Sequence, residues 1–175
     1  MKRVLTQKFF NRPTLQVAKG LLGKSLIRRA RGRTIAVLIS EVEAYDGPHD
    51  KASHAHRGRT PRNEVVFGEA GRWYVYFTYG MHWMLNIVTG PKGYPAAILI
   101  RCAIHEGKPI FGPARLTKYL KIDKRLNGKS ANKNSGLWIE DRGVKIKPSQ
   151  VRRGKRIGVD YAGEWSKKLY NFSLE

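Results

Sequence analysis

The chain has 175 residues, 41% of them hydrophobic, and sets 34 Lys and Arg against 13 Asp and Glu for a formal charge of +21. That length and apolar content suffice for one core without disulfides or a structural metal, so a single domain over residues 1–175 is expected. The charge exceeds what solubility requires and points to a polyanion, whether nucleic acid, an anionic membrane or ribosomal RNA; it defines the class of partner and not the function.

In chain order, residues Pro13 to Leu22 read as a short helix, with Leu15, Ala18 and Leu22 on one face and Gly23 as its stop. Before it, Met1 to Leu5 is basic but lacks the apolar stretch of a signal peptide, and no later run is long enough to span a membrane. Thr34 to Tyr45 reads as a strand in which Ile35, Val37 and Ile39 share a face with Glu41, Glu43 and Tyr45, an apolar strand ending in a polar tip. From Asp46 to Gly71, Gly, Pro, His, Asn and charged residues mark a long loop of the kind compact domains keep for function. Trp73 to Thr78 is strand-forming, Tyr79-Gly80 offers a turn and His82 to Val88 returns, giving a hairpin. Ala96 to Ile104 is a buried strand carrying one charge, Arg101, and also Cys102, the only cysteine, so no disulfide can form within the chain and a reducing compartment fits. Pro113 to Leu120 is a second short helix with proline at its first position. Lys121 to Lys133 and Lys145 to Arg156 read as solvated basic loops or edges facing a polyanion. A soluble, intracellular monomer is expected.

Three clusters carry chemistry. Glu41, Glu43, Asp46 and Asp50 fall within ten residues that hold no Lys or Arg. Carboxylates near a DNA-binding face repel phosphate, so they either activate water, bind metal, stabilise a cation, or simply pair with surplus Lys and Arg. The aromatic block Trp73, Tyr74, Tyr76, Phe77, Tyr79 and Trp83 suits base stacking, although alternation sends Trp73, Val75 and Phe77 to the face opposite Tyr74 and Tyr76, and one set must pack the core. His49, His54 and His56 lie near Asp46 and Asp50, but their spacing fits no usual zinc pattern; His54 is expected as a pocket wall, with His49 and His56 solvated and no metal or cofactor required. Two phosphate-loop lookalikes, at Gly20 to Ser25 and Gly128 to Ser130, lack the earlier glycine at the required distance.

Taken together, Glu41 to Tyr45 (EVEAY), His54, Arg59 to Asn63 (RTPRN), Tyr74 to Met81 (YVYFTYGM), Asn86, Arg101 and the closing run Arg156 to Trp165 (RIGVDYAGEW) resemble the alkyladenine DNA glycosylase family in order and spacing. The resemblance implies an α+β fold: one mixed domain with a curved, largely antiparallel sheet, short surrounding helices and a protruding β-hairpin. It implies removal of alkylated purines of the 3-methyladenine and 7-methylguanine type from double-stranded DNA, without strand cleavage. Glu43 would be the general base that activates the attacking water, with Arg101 and the backbone at Val159 holding that water. Tyr45, His54 and Tyr76 would sandwich the extruded base, Asn86 would screen purines by their exocyclic group, and Tyr79 would intercalate. Arg59, Arg62 and Arg115 would neutralise phosphates. Gly112 to Leu116 departs from the pattern, which commonly has a second glycine and a lysine there, and His56 and His82 stand where an aromatic is common. Two other readings compete: a nucleic-acid-binding protein without catalysis, in which Glu43 only neutralises an arginine, and a metal-dependent nuclease built on the Asp46 to His56 cluster.

Overall fold

A computed structural model describes residues 2–175. In chain order the elements are β1 (Arg3–Val4), α1 (Gln7–Phe10), α2 (Thr14–Leu21), β2 (Ser25–Ala30), β3 (Arg33–Asp46), β4 (Trp73–Thr78), β5 (His82–Val88), β6 (Ala96–His105), β7 (Lys108–Ile110), α3 (Pro113–Tyr119), β8 (Leu137–Asp141), β9 (Val151–Gly154) and β10 (Asn171–Leu174), with short 3-10 turns between them. The strands form one antiparallel sheet in the order β1-β8-β2-β3-β6-β5-β4, with β7 on β6, and with β10 joining β3 to β9. The sheet curls into a half-barrel with few short helices, the α+β architecture expected, and β4 and β5 make the hairpin at the expected residues.

The main core lies between one sheet face and the helices, with Phe10, Val17, Leu21, Leu26, Ile39, Ile98, Ile100 and Leu116 excluded from solvent. Helix α2 presents Thr14, Val17, Ala18 and Leu21 to that core; of the expected face, Ala18 and Leu22 are buried in the same core and Leu15 packs against it half-buried. The Thr14 hydroxyl also turns inward, where it accepts a hydrogen bond from the Thr89 hydroxyl (3.2 Å). Leu22 is extended and buried beyond the helix end, ahead of Gly23 at φ +77°.

Strand β3 corrects the expected alternation where it matters most. Val37 and Ile39 face the main core, but so do Val42 and Ala44, so Glu41, Glu43 and Tyr45 lie on the opposite face from Ile39. The cause is a matched irregularity: Ile39 pairs Ala103 and Val42 pairs Ile100, but between them Glu41 pairs Cys102, leaving Ser40 and Arg101 out of step. Both strands change face there while the overall register is kept. At the same point β3 changes neighbour, from β2, whose first residue Ser25 lies opposite Leu38, to β10, whose Ser173 lies opposite Glu41.

The segment Lys145 to Arg156 is also not uniformly solvated. It contains the edge strand β9, and Arg156 at its end is buried.

Candidate active site

In an antiparallel ladder, directly opposed residues point to the same face. Pairing runs from Tyr74 to Asn86, Asn86 to Leu99, Leu99 to Glu43 and Glu43 to Asn171, so these five side chains form one row across β4, β5, β6, β3 and β10. Neighbouring rows on the same face add the pairs Tyr76 with Met84 and Tyr45 with Ala97. Above them lies a cavity of about 410 Å³, walled by Tyr45, His54, Tyr74, Tyr76, Asn86 and Arg101, with Tyr79, Val159 and Tyr161 also on its border. The stretch Asp46 to Gly71 supplies one side, and its turns at His54–Arg57 and Glu64–Phe67 give it an ordered backbone.

Glu43 is 0% exposed, yet four donors meet its carboxylate. Oε1 accepts the backbone N–H of Ile157 (2.8 Å) and Asn171 Nδ2 (3.2 Å). Oε2 accepts the Tyr45 hydroxyl (3.0 Å) and faces Arg101 Nη1 at 3.5 Å. Both partners of Oε2 line the cavity, which sets the direction in which Glu43 is available. Donors and an adjacent cation make a buried carboxylate tolerable in its charged form. The Tyr45 phenol is pushed well above its ordinary pKa, first by burial and then by the Glu43 charge, so it remains a donor.

Glu41 is the second carboxylate of the site. Its Oε1 accepts Arg101 Nε (3.0 Å) and Asn171 Nδ2 (2.8 Å), and its Oε2 accepts the Cys102 thiol (2.7 Å). Burial works against its charge, but hydrogen bonds from Cys102 and Asn171 and the Arg101 guanidinium outweigh it and hold its carboxyl below the usual range. The thiol is pushed up to about 12, by burial and then by its bond to Glu41, so Cys102 is a neutral donor and not a thiolate.

The walls are aromatic. Tyr74 and Tyr76 have ring centroids 5.1 Å apart, His54 lies 4.6 Å from Tyr76 at 71°, and its Nδ1 is 3.2 Å from the Tyr74 hydroxyl. Burial pushes the Tyr74 phenol up to about 12 and Tyr76 higher still. Desolvation, then the Arg62 charge, lowers the pKa of His54 and favours the neutral imidazole. Neutral, electron-rich ring faces attract a flat cation. Asn86 is buried and donates Nδ2 to the Tyr74 carbonyl (3.2 Å), which fixes the orientation of its amide at the cavity.

The acidic loop is tied down by an ion pair absent from the sequence reading. Asp50 and Arg156 are both 0% exposed at their side chains and joined through both carboxylate oxygens, with Arg156 Nη2 to Asp50 Oδ1 at 2.9 Å. Arg156 also donates to the carbonyls of Ala44 (2.9 Å) and Trp165 (3.1 Å), and its guanidinium lies 4.8 Å from the Tyr45 ring and 5.3 Å from that of Tyr170. Asp50 further accepts the N–H groups of Asp46 and Ala52. One buried pair thus connects β3, the loop and the segment that carries Ile157.

Tyr79 stands at the hairpin tip, 81% exposed at φ +52° beside Gly80 at +66°; the two are the left-handed centres of a turn closed by the Met81 N–H on the Thr78 carbonyl (3.1 Å), within a three-residue loop because Thr78 pairs His82. Arg31, Glu106 and Lys121 also adopt positive φ, so the large exposed aromatic, and not strain, sets Tyr79 apart. Arg62 lies 5.6 Å from the Tyr76 ring and donates to the Phe77 carbonyl (3.0 Å), whereas Arg59 lies away from the cavity, over Phe67 and near Glu64 (3.3 Å), and Arg115 is exposed on α3. His49 and His56 are exposed. Among the described residues no three His, Cys, Asp or Glu side chains cluster as metal ligands, and no helix is long and apolar enough to cross a membrane. Sequence reasoning left Asn171, Ile157 and Tyr161 unassigned and placed Arg156 on the surface. The one available signal was the acidic window itself, whose Glu41 and Asp50 each require a cation once buried.

Residues 8–175 match the family model described as Methylpurine-DNA glycosylase (MPG). Relatives named "Putative 3-methyladenine DNA glycosylase" include one from Methanocella arvoryzae, 42% identical over 97% of this chain and 91% of the relative. Others come from Streptomyces avermitilis (44% identical; 91% and 83% of the two chains) and Myxococcus xanthus (42%; 93% and 85%).

Proposed function

This chain belongs to the methylpurine-DNA glycosylase family, and on that premise we propose that it extrudes alkylated purines from duplex DNA and hydrolyses their N-glycosyl bond with a water activated by Glu43. Membership makes it a DNA glycosylase, a hydrolase of N-glycosyl bonds acting on damaged DNA. The finer reading rests above all on one observation: a fully buried carboxylate, one oxygen of which is met by Tyr45 and Arg101, two residues that line the aromatic-walled cavity.

A purine alkylated at N3 or N7 is a cation, so it is drawn to the faces of Tyr45, His54 and Tyr76 and is already a good leaving group. The attacking water takes the place of the Tyr45 hydroxyl at Glu43 Oε2, with Arg101 and the backbone at Val159 beside it. As the C1′–N bond breaks, its electrons return to the base and cancel its charge, while water oxygen bonds C1′ and yields a proton to Glu43. The negative Glu43 also stabilises the cationic sugar in between. No acid is needed for such a base, and the cavity lining among the described residues includes no lysine for a Schiff-base step, which supports release without strand cleavage. Asn86 screens the exocyclic group, Tyr79 fills the gap left by the extruded base, and Arg59, Arg62 and Arg115 contact phosphates.

The non-catalytic reading has Glu43 serving only to neutralise an arginine, but Arg101 is already met at 3.0 Å by Glu41, closer than its 3.5 Å approach to Glu43. The nuclease reading needs Asp50, which Arg156 occupies. The deciding experiment is base release from a duplex carrying 7-methylguanine, in EDTA. Wild type is expected to leave an abasic site, and Glu43→Gln to lose about 10²- to 10⁴-fold in rate while still binding the duplex. Wild-type rates in Glu43→Gln would remove the assigned base, and strand cleavage abolished by chelation would favour the nuclease.

A further inference from the structure

Glu41 and Glu43 occupy alternate positions of one strand and point to one face. Two carboxylates placed so close oppose each other's ionisation, and one of them is commonly left protonated. A protonated Glu43 accepts no proton from water. The groups around the pair decide the matter: Glu41 and Tyr45 on β3, Arg101 and Cys102 on β6, Asn171 on β10, the Ile157 N–H and the Arg156 cation over Tyr45 from the segment after β9, and Tyr76 from β4. Two of these donors bridge both carboxylates. Asn171 Nδ2 reaches Glu41 Oε1 and Glu43 Oε1 at 2.8 and 3.2 Å, and Arg101 reaches Glu41 Oε1 and Glu43 Oε2 at 3.0 and 3.5 Å.

We propose that Asn171 and Glu41 are positioning residues which, together with Arg101, keep Glu43 ionised and aimed, so that the reaction centre is a four-residue unit of net charge −1. This rests on Glu43 being the general base. Glu41 anchors Arg101 by its closest contact, which limits the cation's hold on Glu43 and leaves negative charge on the cavity side, where the sugar becomes positive. Asn171 is buried, lies opposite Glu43 in the β10–β3 ladder, and is a neutral donor. It offsets the repulsion between the carboxylates without cancelling the remaining charge. Cys102 secures the far oxygen of Glu41 in the same way.

The test is the pH profile of single-turnover base release from 7-methylguanine duplex with enzyme in excess, for wild type, Asn171→Leu, Glu41→Gln and Glu43→Gln, each with a melting curve and duplex affinity. Asn171→Leu removes a donor to two charged acceptors, and the plateau rate is expected to fall about 10- to 100-fold with the acid limb moving to higher pH. Glu41→Gln removes the opposing charge, so its acid limb moves to lower pH, while its plateau also falls because Arg101 now neutralises Glu43. Opposite movement of the two limbs is a signature that loss of folding does not produce. Wild-type rate and profile in Asn171→Leu, or limbs that move together in step with melting temperature, overturn the proposal. Should Asn171→Leu not fold, Asn171→Ser and Glu41→Gln read the same pair of directions. Active Glu43→Gln defeats the general-base assignment itself; inactive Glu43→Gln beside unchanged Asn171→Leu and Glu41→Gln defeats only the present inference.

Discussion

Removing the carboxylate of Asp50 should destabilise the protein more than any substitution at the rim of the cavity. Both side chains of the Asp50–Arg156 pair are 0% exposed, so solvent screening does not discount their interaction. In Asp50→Ala the guanidinium stays buried with only the carbonyls of Ala44 and Trp165 as acceptors, and its Nε already has no partner. Breaking one half of such a pair costs about 3–5 kcal/mol. For a chain of this size each kcal/mol lowers the melting temperature by about 2–4 °C, so a fall of about 6–20 °C is expected by calorimetry. The double variant Asp50→Leu/Arg156→Met removes the stranded charge and should be more stable than Asp50→Ala, although the two released carbonyls prevent full recovery. A loss below about 1 kcal/mol in Asp50→Ala, the scale of an exposed ion pair, would refute the claim that this pair holds the loop. So would a double variant no better than the single.

Tyr79→Ala is expected to weaken capture of an extruded lesion more than binding of undamaged duplex, measured by fluorescence of a reporter base beside the lesion; equal losses remove the plug role. Affinity for any duplex should fall steeply with salt, with a slope reduced by about one for each of Arg59, Arg62 and Arg115 changed to Ala, and a flat response contradicts the phosphate contacts. His54, with its pKa lowered in the fold, takes up its proton later than an unfolded histidine as pH falls. Its contribution to stability is therefore complete above about 6.5 and is lost as pH drops from there through the lower folded value. A protonated wall also repels a cationic purine, so lesion capture should decline over that window, and His54→Phe should flatten the decline; an unchanged pH dependence in that variant sinks the idea.

The hairpin was legible because two independent signals agree on it: β-forming residues on both sides and a Tyr-Gly turn, and β4 and β5 begin and end at the expected residues. The face of β3 was legible only piecewise. Period-two alternation places Glu43 and Tyr45 together correctly, but a change of face at Ser40 and Arg101 leaves no mark in the sequence, since neither strand carries a glycine or proline there. Asn171 could not be found because its partner Glu43 is 128 positions away, on a strand four residues long with no pattern of its own. Arg156 sits in a run of cations that reads as solvated, and only its contact with Asp50, 106 positions earlier, shows it to be part of the interior.

The overall charge of +21 and the chemistry of the site pull in opposite directions, and the acidic window is where they are reconciled. In the proposed mechanism cations on the surface bring phosphate to the protein, yet the bond that breaks leaves positive charge on the sugar and needs a negative centre. Four carboxylates close together would resist ionisation and repel the DNA. The fold answers by sending two arginines inward, Arg101 from the neighbouring strand β6 and Arg156 from the segment after β9: Arg156 pairs with Asp50 through both carboxylate oxygens, and Arg101 meets Glu41 at the shorter distance. Asp46 is held through its side chain by the Tyr94 hydroxyl at 3.2 Å, outside the cavity lining. Glu43 meets the cavity through Tyr45 and Arg101, the two lining residues at its Oε2. Under the proposed mechanism the order of contacts around Arg101 matters more than the presence of an arginine, because a guanidinium seated on Glu43 would cancel the charge that the proposed general base supplies.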